Sequence, residues 1–98
     1  MHFETLWEKA EKYHQNSEGT SQSMILDELM LKLNLYKAVS SKSELPAEEL
    51  EKAKFHTMGE ILLTLTHLSL FDKINVFDAL YRILRNRSVD FLDKKHST

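Results

Sequence analysis

Glu60 is the residue of this sequence hardest to explain as ordinary surface. It lies in the run FHTMGEILLTLTHLSLF, where apolar positions crowd both sides of it. At about 100° per residue, His56, Thr57, Glu60, Thr64 and His67 share one polar stripe roughly 100° wide. Such a stripe faces either water or a cleft. Upstream, Asp27 and Glu28 are adjacent acids, and Glu28 has Lys32 four residues later. That order suits a surface ion pair of about 0.3–0.5 kcal/mol, although the same carboxylate could face the cleft. His56 and His67 sit about three turns, roughly 16 Å, apart on one helix, too far to share a metal. No H-E-x-x-H or E-x-x-H pattern occurs, so His67 reads as a histidine at a cleft edge. Arg82, Arg85 and Arg87 form a small basic cluster that could grip phosphates or complement a helix C-terminus. Trp7 and Tyr13 could stack a nucleobase, but their spacing with Leu6 and Ala10 reads first as core. The serines fall in loops and caps, which leaves nucleophilic catalysis without support.

The elements that must position these residues read as helices. With 98 residues, the chain has the length of one domain whose single core is marginal. Two glycines and one proline are too few to punctuate a sheet protein of this size. Hydrophobic periodicity and end signals place helices at about residues 3–14, 23–39, 46–71 and 75–92. Phe3, Leu6, Trp7, Ala10 and Tyr13 stripe the first. Ser21 or Ser23 would cap the second, and Pro46 suits the first turn of the third. Lys73-Ile74 makes a short turn, and Asn75 with Asp78 would cap the fourth. Its expected buried positions are Val76, Ala79, Leu80, Ile83 and Leu84, with Phe91 and Leu92 beyond. The tail DKKHST should fray.

Phe55, Met58, Ile61, Leu62, Leu63, Leu65, Leu68 and Leu70 occupy most of the third helix outside its polar stripe. Three neighbouring helices could cover part of a band this broad, and a second subunit is the simpler cover for the rest. A net charge of -2 argues against a nucleic-acid partner. A helix-turn-helix from Phe71 to Arg87 is disfavoured by the apolar character of its second helix. No apolar run reaches the length of a membrane span, and MHFETLWEKAEKYHQ lacks the apolar core of a signal peptide. The absence of cysteine fits a reducing compartment, so the expected setting is cytoplasmic.

The stretch Met58 to Leu80, MGEILLTLTHLSLFDKINVFDAL, resembles the second half of a MazG-type nucleotide pyrophosphohydrolase. That family has an acidic E-x-x-D helix with an apolar run, a short turn, and a helix opening on a pattern similar to Ile74-Asn75-Val76-Phe77-Asp78-Ala79-Leu80. Ile25 to Val39 stands where the family has E-E-x-x-E, and the resemblance covers roughly residues 22 to 92. It implies an all-α, four-helix bundle-like chain assembled as a homodimer or a dimer of dimers. It also implies Mg²⁺-dependent cleavage of a nucleoside triphosphate to the monophosphate and pyrophosphate. Asp27, Glu28 and Glu60 would hold the metal, with Glu28 and Glu60 catalytic. His67, Arg82 and Arg85 would contact substrate. The pattern departs from the family at Leu31 and Thr57, which replace acids, at Glu60, which replaces an aspartate, and near Leu84 and Asn86, where a phosphate-contacting asparagine and lysine are not retained. Losing carboxylates weakens the metal and the orientation of water. The competing expectation is a non-catalytic helical oligomer that binds a nucleotide or a protein partner on the remnant of the site.

Overall fold

The computed structural model describes residues 3–15, 19–42 and 44–96, with side chains described for 5–15, 19–42 and 44–87. Four α-helices follow one another: α1 Phe3–His14, α2 Gln22–Ser40, α3 Ala47–Phe71 and α4 Val76–His96. No strand occurs among the described residues. The expectations placed on the side chains of Phe3, Phe91 and Leu92, and on residues 97–98, lie outside this description.

The helix ends follow local chemistry. Ser21 caps α2, its hydroxyl accepting from the Met24 N–H at 3.2 Å. α3 begins after Pro46, which stands at the N-cap rather than inside the first turn, and Glu48 and Glu49 follow at the positive end of the helix. α3 ends in a Schellman turn: Ile74 N–H donates to the Ser69 carbonyl at 2.7 Å and Lys73 N–H to Leu70 at 3.1 Å. Closing that turn puts Lys73 in the left-handed region at φ 59°, a conformation that suits glycine better. Asn75 Oδ1 then caps α4, accepting from the N–H groups of Phe77 at 3.0 Å and Asp78 at 3.1 Å. α4 runs to His96, past the expected stop near 92, because no glycine or proline interrupts it. The tail expected to fray is therefore helical as far as residue 96.

α2 and α3 form an antiparallel hairpin. Gln22 Nε2 donates to Asp72 Oδ1 at 2.9 Å across its open end, and Lys32 reaches Glu60 and Thr64 midway along it. α1 lies across α3, and α4 meets α3 over a small area. Trp7 of α1 is half-buried and stands edge-on to Phe77 of α4, ring centroids 6.1 Å apart. Trp7 thus packs as expected, whereas Tyr13, expected in the core, is exposed.

The largest departure from expectation concerns which face of α3 turns inward. Part of the polar stripe does: Thr57 is 5% exposed and Thr64 3%, whereas His56 stays exposed; Thr66 and Ser69, which lie off that stripe, are buried as well. Each hydroxyl donates to a carbonyl of its own helix, Thr57 to Ala53, Thr64 to Glu60, Thr66 to Leu63 and Ser69 to Leu65. Satisfied in this way, these small side chains bury their methyl and methylene groups without an orphaned donor and let neighbouring helices approach closely. The leucines that periodicity alone assigns to a core are pushed to the flanks, and Phe55 is 84% exposed. Leu80, Ile83 and Leu84 of α4, expected inside, are also exposed, because the helix leaves the body of the fold soon after Phe77.

Candidate functional site

Three of the side chains singled out by sequence, Glu28, Glu60 and His67, lie where α1, α2 and α3 come together. At the centre is a residue that the sequence assigned only to a surface ion pair. Lys32 points from α2 into the hairpin, its side chain 18% exposed, with Nζ 3.2 Å from Glu28 Oε1 and 3.2 Å from Glu60 Oε2. It also donates to Thr64 Oγ1 at 2.6 Å. Since the Thr64 proton is used on the Glu60 carbonyl, the hydroxyl oxygen is left to accept from lysine. The expected Glu28–Lys32 pair is thus formed, and Glu60 from the facing helix completes it.

Electrostatics favour this clasp. Burial alone would lower the lysine pKa, but the hydrogen bonds it donates to Glu60 and Glu28, with their negative charges, outweigh it and hold the ammonium above its ordinary value. His56 extends the network outward, Nε2 4.0 Å from Glu60 Oε1 one turn away.

Asp27 is exposed, about 100° round α2 from Glu28, and the carboxylates that meet Lys32 are Glu28 and Glu60. Leu31, at the third acid position of the motif, is 68% exposed. Thr57, at the glutamate position of E-x-x-D, turns its hydroxyl to the Ala53 carbonyl. Among the described residues, no group of three or more histidine, aspartate or glutamate side chains is arranged to hold a metal ion.

His67 borders the clasp and has a partner that sequence did not anticipate. Its ring stacks on that of His14 from α1, centroids 4.3 Å apart and planes 11° from parallel. His14 Nε2 is 3.2 Å from Thr66 Oγ1. The Thr66 proton goes to the Leu63 carbonyl, so the imidazole N–H is the donor. Burial, and then the neighbouring charges of His67 and Lys32, lower the His14 pKa against the opposing pull of the Leu63 carbonyl and Glu28. The only sequence signal for this pairing was the place of His14 at the end of a helix, which does not specify a contact across 52 residues of chain.

The arginines stand apart on α4. Arg82 Nε is paired with Asp78 at 3.2 Å, and Arg85 lines an open hollow of about 590 Å³ with Tyr81 and Asn86. A groove of about 330 Å³ opens between α1, α3 and α4, walled by Leu6, Ala10, Leu62, Leu63 and Phe77. Among the described residues, no helix is long and apolar enough to cross a membrane. Set against models of known protein families, curated proteins and solved structures, the chain matches none of them.

Proposed function

We propose that this chain is a subunit of a helical homo-oligomer built on the MazG-like plan, in which a lysine ammonium stands where that family holds magnesium. On this reading the remnant site binds a nucleotide and does not cleave it. One observation carries the proposal: Glu28 and Glu60 converge on Lys32 Nζ, each at 3.2 Å.

Mg²⁺ takes six hard oxygen ligands in a near-ideal octahedron. The oxygens within reach here are two carboxylates that share one ammonium, and one threonine hydroxyl. A dication placed between them would lie against a fixed positive charge. As arranged, the donor set fits an ammonium and does not fit Mg²⁺. The adjoining pair His14 and His67, close enough to Lys32 to feel its charge, offers flat rings on which a base can stack. A cysteine-free chain is compatible with a cytoplasmic setting.

The test is a panel of nucleoside triphosphates assayed for pyrophosphate release with Mg²⁺ or Mn²⁺, paired with calorimetric binding of the same nucleotides. Binding without turnover is expected. Neither binding nor turnover would leave the clasp a purely structural feature and end the proposal.

A second reading keeps the enzyme, with Glu28 and Glu60 as catalytic carboxylates and Asp27 swinging in beside them. It is favoured by the convergence of two motif acids at one point. Metal-dependent turnover that disappears in Glu60→Ala, with the helical fold retained, would establish it.

A further inference from the structure

The groove between α1, α3 and α4 reaches down to the backbone of α3 at Gly59. Glycine is a poor residue for the middle of a long helix. Here the backbone does not demand it, since Gly59 lies within α3 and its φ is not positive. Close packing does not demand it either, because a Cβ at this position would meet no atom within 4 Å. What the missing side chain leaves is room, in a groove of about 330 Å³. That is the small end of the range of ligand-sized cavities.

The lining defines what chemistry could enter. Its walls are leucine, alanine and the Phe77 ring. Thr66, which also lines it, already donates to the Leu63 carbonyl and accepts from His14. A nucleobase placed here would leave its polar edges without partners, a cost that a hydrocarbon does not incur. One charge borders the groove among the described residues, the exposed ammonium of Lys9. On the α1 surface its neighbours three and four residues away are Thr5, Leu6, Lys12 and Tyr13, none of them acidic. Lys9 takes part in none of the ion pairs formed among the described residues. An apolar trough with one uncompensated cation at its edge is complementary to a molecule with a hydrocarbon body and one negative group.

We propose that this groove is a binding site for a small apolar monoanion, its hydrocarbon laid over Gly59 between Leu6, Leu63 and Phe77 and its anionic group at Lys9. The site is separate from the lysine clasp and does not rest on the nucleotide reading of it.

Octanoate is the probe, titrated into the full chain by calorimetry and followed by the emission of Trp7, which packs edge-on to Phe77. Saturable binding is expected. Hexanoate, two methylenes shorter, should bind about tenfold more weakly, since each buried methylene is worth about fourfold. Octanol, equal in chain length but uncharged, should bind up to about fivefold more weakly, the measure of one exposed ion pair. Lys9→Gln should remove the preference for octanoate over octanol and leave octanol binding unchanged. Gly59→Leu, with helical circular dichroism retained, should abolish binding of both by filling the groove. Equal affinity for octanoate and octanol in the unaltered chain would overturn the anionic class of ligand. Undiminished binding in Gly59→Leu would overturn the site. No saturable binding, or binding that disappears as rising protein concentration drives assembly, would show that no such molecule occupies the groove and would overturn the proposal.

Discussion

The His14 and His67 rings lie parallel, 4.3 Å between centroids, and join the last residue of α1 to the second half of α3. The contact is best suited to imidazoles that are not both charged. Groups from every neighbouring element bear on it: His67, with Thr66 and the Leu63 carbonyl, from α3, and Glu28 and Lys32 from α2. Burial and the adjacent positive charges lower the His14 pKa, so the folded chain prefers the neutral ring. A base whose pKa is lower folded than unfolded contributes stability that is complete above the unfolded value, about 6.5. That stability is lost as pH falls from there through the lower folded value. Trp7, the only tryptophan, sits on α1 against Phe77 and reports whether α1 is docked. Its emission should shift to the red between pH 7 and pH 5. His14→Gln should flatten the change and His56→Gln should keep it. A transition of equal size in His14→Gln would show that the stack is not the cause.

Replacing the ammonium should expose what it compensates. Lys32→Met leaves Glu28 and Glu60 facing each other across the hairpin and should cost about 1–3 kcal/mol in urea unfolding, nearer the lower end because both carboxylates are half-exposed. The variant should also gain a rise in melting temperature with added Mg²⁺ or Mn²⁺ that the unaltered chain lacks. If the two proteins respond alike to the metals, the lysine is not a substitute for a cation there.

Making α3 more apolar where it is buried should harm the protein. Thr57→Leu adds volume at a position only 5% exposed and should destabilise by about 1–3 kcal/mol through overpacking. Phe55→Gln, at a position 84% exposed, should do little to the isolated subunit and weaken assembly instead. Urea midpoints compared with sedimentation equilibrium separate these effects.

The turn between α3 and α4 offers two changes of opposite sign. Asn75→Ala removes the acceptor for two N–H groups and should cost about 0.5–2 kcal/mol. Lys73→Gly relieves a left-handed residue and should gain up to about 1 kcal/mol. Thermal melts of both variants against the parent check the pair.

The elements themselves were legible in the sequence because helices are specified locally. Caps such as Ser21 and Asn75, the proline before α3 and the breaker-free runs act within one or two turns, and the four helices lie within a few residues of where these signals put them. The Glu28–Lys32 pair was legible for the same reason, being one turn apart on one helix. What only the tertiary structure decided was direction: which side of α3 turns inward, and what stands between Glu28 and Glu60. Periodicity ranks faces by hydrophobicity, yet a threonine whose hydroxyl is satisfied by its own helix packs as a small apolar residue, so Thr57 and Thr64 of the stripe turned inward while His56 stayed exposed. Once that face turned in, Lys32 and His14 were brought from 28 and 52 residues away to Glu60 and Thr66. Glu60, the residue hardest to read as plain surface, is half-buried on a lysine, a partner that no spacing within its own helix could have named.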